Sequence, residues 1–169
     1  MDFAIRAVRA EEHEALGEII AQAYLADGLL AFGEADWYLG ELRDVAKRAA
    51  AAEVLAAVDG EGALLGGVTF VPSPGPMADL AREGEAEIRM LAVDRAARGR
   101  GVGEALVRAC VERARGVEGC VRIVLSTQRA MHGAHRIYER LGFRRTPERD
   151  WSPVEDHPEF VLLTYGLEL

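Results

Sequence analysis

Leu91-Ala92-Val93-Asp94-Arg95-Ala96-Ala97-Arg98-Gly99-Arg100-Gly101-Val102-Gly103-Glu104-Ala105-Leu106-Val107 runs from a strand end, through a turn rich in arginine and glycine, to a helix start. Ahead of the turn, Glu87–Val93 has the apolar content and bounded length of a strand. Behind it, Val102, Ala105, Leu106, Ala109 and Cys110 repeat at i, i+3, i+4, i+7 and i+8, one face of a helix. Between the two, Gly99, Gly101 and Gly103 alternate with Arg98, Arg100 and Val102. Glycines remove Cβ atoms, so successive backbone N–H groups can converge on one ligand. The helix start adds about half a positive charge, and the arginines add whole ones. Such a turn suits an anion, above all a phosphate. The dinucleotide pattern G-x-G-x-x-G fails at Glu104, and the Walker pattern fails because the only lysine is Lys47.

Outward from this turn the chain reads as alternating short elements. Phe3–Val8 predicts a strand and Glu11–Tyr24 a helix with Leu16, Ile19, Ile20 and Ala23 inward. After a break at Asp27–Gly33, Asp36 is placed to cap a helix from Trp37 to about Ala51. Val54–Val58 and Leu64–Val71 predict strands joined by a turn at Asp59–Gly62. Pro72–Pro76 opens a loop that reaches Gly84, and Glu85–Val93 is the central strand. Val121–Leu125 predicts another strand. Ala130, Ala134, Ile137 and Leu141 mark a helix with Gly142 as its C-cap. A short strand from Phe143, a polar loop over Thr146–Pro158 and a strand over Phe160–Leu167 complete a mixed α/β (α+β) pattern with no repeat or linker. Residues 1–169 read as a single domain.

Half of the residues are apolar, which argues against disorder. No apolar run approaches the roughly 20 residues of a membrane span, and Met1–Arg9 lacks a signal-peptide core; a cytoplasmic location is the expectation. Cys110 and Cys120 are expected to be reduced, buried thiols. The net charge of −8 disfavours nucleic acid as a partner. It is unevenly spread: residues 1–88 carry 17 acids and 6 bases, whereas residues 95–149 carry 13 arginines and 5 acids. The basic half coincides with the anion turn.

Arg98-x-x-Gly101-x-Gly103, following a strand and opening a helix, resembles the coenzyme A loop of the GNAT N-acetyltransferases. A second segment, Ala134-His135-Arg136-Ile137-Tyr138-Glu139-Arg140-Leu141-Gly142-Phe143, is similar to the family's Ala-x-x-Leu-Tyr-Glu-x-Leu-Gly-Phe, with Ile137 in the leucine place. The resemblance implies a GNAT fold: a mixed, mostly antiparallel central sheet splayed at the cofactor site and flanked by about four helices. It implies acetyl-coenzyme A as co-substrate, with no metal. Leu91, Ala92 and Val93 would meet the pantetheine arm, and Arg98, Gly99, Arg100, Gly101, Val102 and Gly103 the pyrophosphate. Met131 stands where many members have an asparagine that touches coenzyme A; Thr127, Gln128 and Arg129 are neighbouring candidates.

Tyr138 matches the tyrosine that assists the leaving thiolate, and a backbone N–H near Leu91 or Ala92 matches the oxyanion donor. Glu87 matches the glutamate of the histone-acetylating branch; the position fits a base acting through water and equally a solvated strand carboxylate. Another branch carries its base where Ser126 stands here, which is no carboxylate. His132 and His135 lack a third ligand at metal spacing and read as surface histidines. For the acceptor, Tyr24, Trp37, Tyr38 and Trp151, with Asp36, Asp150, Glu155 and Asp156, suggest an aromatic and acidic pocket for a small amine. A non-catalytic acyl-coenzyme A sensor and a protein or peptide N-acetyltransferase are the alternatives, and relatives of this kind often form homodimers.

Overall fold

The computed structural model describes residues 2–169. Its elements are β1 (Phe3–Ala7), α1 (His13–Ala26), α2 (Tyr38–Arg43), α3 (Val45–Ala51), β2 (Glu53–Asp59), β3 (Leu64–Val71), β4 (Glu85–Val93), α4 (Val102–Arg115), β5 (Arg122–Thr127), α5 (His132–Arg140), β6 (Arg144–Arg145) and β7 (Leu163–Glu168). The strands form one sheet in the order β1-β2-β3-β4-β5-β7-β6. Every neighbouring pair is antiparallel except β4 and β5, which run parallel.

Two apolar layers cover this sheet. On one face Leu16 and Ile20 of α1, Leu42 of α2 and Val45 of α3 pack against Val54, Ala56, Met90 and Ala92. On the other, Leu106, Val107 and Cys110 of α4 and Tyr138 of α5 pack against Leu55, Val68, Phe70, Ile88 and Ile123. Helices α1 and α2 approach closely at Gly17, where a Cβ would stand 2.3 Å from the Arg43 carbonyl oxygen. Only glycine allows that contact without moving a backbone.

Several boundaries differ from the sequence reading. The helix expected over Trp37–Ala51 is two, which brings the helix count to five. Asp44 leaves the helical region (φ −83°, ψ 65°) and caps α3 by accepting the Lys47 N–H at 3.1 Å. An aspartate side chain competes for backbone donors, so it ends one helix and starts the next. The fifth strand begins at Arg122 and leaves Val121 exposed. The last begins at Leu163; Trp151 and Leu162 form an isolated bridge ahead of it. Cys110 is buried, with its thiol pushed up to about 12 by desolvation, but Cys120 is only half-buried. Among the described residues no helix is long and apolar enough to cross a membrane.

Candidate active site

Strands β4 and β5 pair only over Glu85–Ile88 and Arg122–Leu125. Beyond that point Ser126 and Thr127 stay with β7, and Arg89–Val93 stays with β3. The sheet therefore opens along the second half of β4, and the β5-facing edge of that half has no strand partner. At the opening β4 carries a bulge. Gly67 faces Ala92 and Thr69 faces Arg89, so two residues, Met90 and Leu91, oppose the single Val68. Met90 adopts φ +55°, rare for a side chain of its size and costing on the order of 1–3 kcal/mol. The bulge shifts the alternation of the strand. Ala86, Ile88, Leu91 and Val93 belong to the α4 face, and Met90 and Ala92 to the α1 face.

A cleft of about 1490 Å³ runs from this opening across the start of α4 to the ends of α1 and α2. Leu91, Ala92, Val93, Arg98, Gly99, Gly101, Val102, Gly103 and Met131 all line it, as do Tyr138, Glu87, Tyr24, Trp37 and Trp151. Arg100 does not; its guanidinium bonds Asp2 at 2.6 Å. At the turn, Gly99 and Gly101 hold φ near +80° with open space where a Cβ would stand. The first helical bond is donated by Ala105 to the Gly101 carbonyl. The six N–H groups from Gly99 to Glu104 have no acceptor among the described residues. Five of these residues, all but Arg100, line the cleft, and unpaired donors at the start of a 14-residue helix have the character that suits an anion. Arg98 is close by but bonds Asp27 at 2.8 Å.

Tyr138 is buried between Phe143 and Tyr165, with ring centroids 5.8 and 5.6 Å away. Its hydroxyl has no hydrogen-bond partner among the described residues, and burial raises its pKa above the ordinary phenol value. It is therefore a neutral O–H donor aimed at the cleft. Met131 accepts the Thr127 hydroxyl on its sulfur at 3.3 Å. His135 bonds the Gln128 carbonyl at 2.9 Å, and its ring lies 5.9 Å from that of His132.

Glu87 is not solvated. It is 1 % exposed and accepts three backbone N–H groups on Oε1, from Asp79 (3.1 Å), Leu80 (2.8 Å) and Ala81 (2.8 Å). Desolvation outweighs these bonds and raises its pKa above the usual carboxylate range. Two residues earlier on the same face, Glu85 behaves oppositely. Burial alone would raise it, but Arg149 at 2.9 Å, Arg122 at 2.8 Å and the Arg82 N–H bring it down to about 2. Arg149 also donates to the Leu80 carbonyl, so the ion-pair cluster braces the loop that caps Glu87.

The four acids expected around the acceptor lie elsewhere, although Asp27, Glu41, Asp79 and Glu87 line the cleft. Asp36 caps the Tyr38 N–H, Asp150 is held by Arg145, and neither lines the cleft; nor do Glu155 and Asp156. Arg89, passed over in the sequence as one more strand residue, does line it. Its guanidinium reaches the Met77 carbonyl (2.8 Å), the Tyr38 hydroxyl (3.4 Å) and Asp79 (3.0 Å). Trp151 donates its indole N–H to Ser126 at 2.9 Å.

A family model described as the acetyltransferase (GNAT) family matches residues 14–143. A curated zebrafish (Danio rerio) protein, N-acetylaspartate synthetase, is 39% identical over 64 residues; the match covers 38% of this chain and only 22% of that protein. Among solved structures, a GCN5-related N-acetyltransferase from Kribbella flavida superposes with a TM-score of 0.70 at 24% identity, covering 99% of this chain and 98% of its own. A phosphinothricin acetyltransferase from Sinorhizobium meliloti, solved with acetyl-coenzyme A, gives 0.74 at 18% identity, covering 100% and 89%. The splayed sheet, the open N–H turn and the family match agree, and the chain belongs to the acetyltransferase (GNAT) family of acyltransferase enzymes.

Proposed function

We propose that this protein moves an acetyl group from acetyl-coenzyme A directly to a primary amine of a small molecule. One observation carries the reading: acceptor-free N–H groups at Gly99 and Gly101–Glu104, the unpaired half of β4 and the partnerless Tyr138 hydroxyl share one cleft. When bound, acetyl-coenzyme A supplies the acetyl group as a thioester. The turn fits its pyrophosphate, and the free edge at Leu91–Val93 fits the pantetheine amides as an added strand would. An N–H at the bulge, from Leu91 or Ala92, serves the carbonyl oxygen as it gains charge. Tyr138 donates its proton toward the departing sulfur. Glu87 has the raised pKa of a base and lines the cleft, and it takes the amine proton through water, with Oε2 the less occupied oxygen. The zebrafish relative is named for an N-acetylated amine, which accords with this chemistry.

Thiol release measured over a panel of amines and peptides, with Tyr138→Phe alongside, tests the reading. Turnover is expected on a small amine, with kcat in Y138F lower by about 100-fold and the KM for acetyl-coenzyme A unchanged. Tight acetyl-coenzyme A binding with no turnover on any acceptor would overturn it in favour of a sensor.

A further inference from the structure

The half of the cleft farthest from the proposed phosphate turn offers donors that the protein only partly uses. Its carboxylates each face a donor of their own, with Asp79 and Glu41 half-exposed. Glu87 holds three N–H groups, Asp79 faces Arg89, and Glu41 faces Lys47 at 3.4 Å. A guanidinium carries five N–H groups, and the partners of Arg89 use at most three of them. Tyr38 accepts from Arg89, which leaves its own O–H to give. Tyr24, whose ring lies 6.5 Å from that of Tyr38, has no hydrogen-bond partner among the described residues and stays neutral, because burial raises its pKa.

Charge points the same way. Arg48, 1 % exposed, sits behind Tyr38 with neutral partners only: the Thr69 hydroxyl and the carbonyls of Glu41, Leu42 and Asp44. A buried guanidinium that bonds no carboxylate, with the Asp44 charge acting on it from nearby, leaves positive potential in its surroundings. Arg89 shares those surroundings and is itself mostly buried, its side chain 13 % exposed.

We propose that the acceptor is an amine that also carries a carboxylate, and that Arg89, with Tyr38 and Tyr24, holds that carboxylate. The proposal rests on the acetyltransferase reading of the cleft and names the substrate class for it. A carboxylate oxygen accepts a charge-assisted N–H bond, which a guanidinium N–H that Met77, Tyr38 and Asp79 leave free can supply. It would orient the amine end toward the bulge in β4, because Arg89 lies immediately before Met90 and Leu91 on the same strand.

The test is calorimetric titration at saturating coenzyme A, using the N-acetylated proteinogenic amino acids and the matching N-acetylated carboxamides. Acetyl transfer from acetyl-coenzyme A to the free amino acids and their amides runs in parallel. At least one carboxylate is expected to bind wild type on the order of 10- to 100-fold more tightly than its amide, the worth of a charge-assisted pair. Arg89→Gln should abolish that preference, and Arg89→Lys should restore part of it, with coenzyme A affinity equal in all three. Equal binding of carboxylates and amides by the wild type, or of neither, would overturn the proposal whether or not the variants fold. Carboxylate binding without turnover on any acceptor would support the pocket assignment and sink the enzymatic reading instead.

Discussion

The two halves of the cleft, proposed above as a phosphate half and an acceptor half, are built from different materials. The phosphate half is backbone: contiguous N–H groups from Gly99 to Glu104, freed by two glycines at positive φ and the unpaired start of α4. The acceptor half is side chain: Tyr24 and Tyr38 from two helices, Asp79 from a loop, Glu87 and Arg89 from β4, and Trp151 from the segment before β7. A backbone site tolerates change in the side chains around it. A side-chain site moves whenever any contributing element moves. The difference teaches where each half is vulnerable.

The largest effect is expected at Glu85. Glu85→Gln leaves the buried Arg149 guanidinium without its carboxylate, while the half-exposed Arg122 keeps Glu168; the loss costs about 3 kcal/mol in urea unfolding. The same carboxyl predicts the acid limb of stability. Its pKa lies at about 2 in the fold, below its ordinary 4.5. The stability it adds is therefore present above 4.5 and is lost as pH falls through about 2. In folded E85Q at neutral pH the acceptor KM should rise, because the loop at Asp79–Ala81 loses its brace, while acetyl-coenzyme A affinity holds. Equal loss in both halves would break the comparison.

Gly101→Val is the converse. A β-branched side chain at φ +80° forces the turn to change shape, and losing two charge-assisted N–H bonds would weaken acetyl-coenzyme A by on the order of 100-fold in calorimetry. Binding of the acceptor-side ligands should change little. The smallest effect concerns Arg98. Asp27→Asn releases its guanidinium toward the turn and should tighten acetyl-coenzyme A by about two- to fivefold at low salt, a gain that fades as salt is raised.

Legibility followed the same division. The phosphate half lies in one short run, so its chemistry could be seen in the order Arg98-Gly99-Arg100-Gly101-Val102-Gly103, and Tyr138 came with its own segment. What the run could not show was the partner of each arginine. Asp27 and Asp2 are 71 and 98 residues away from Arg98 and Arg100. The acceptor half had no local pattern. Its parts span more than a hundred positions, and the acids that seemed to mark it, Asp36 and Asp150, cap a helix and bind Arg145 instead. The break at Asp44 was visible only as a residue with N-cap preference inside an otherwise helical run. The bulge left no trace, since Glu85–Val93 contains neither glycine nor proline.

That bulge has a consequence for how such an enzyme can diversify. The extra residue acts as a phase boundary within β4: side chains before it keep one alternation, and those after it keep the other. Substitutions at Arg89 would re-equip the proposed acceptor side without disturbing which residues after Met90 face α4. A new amine can be accommodated upstream of the boundary while the thioester end stays as it was.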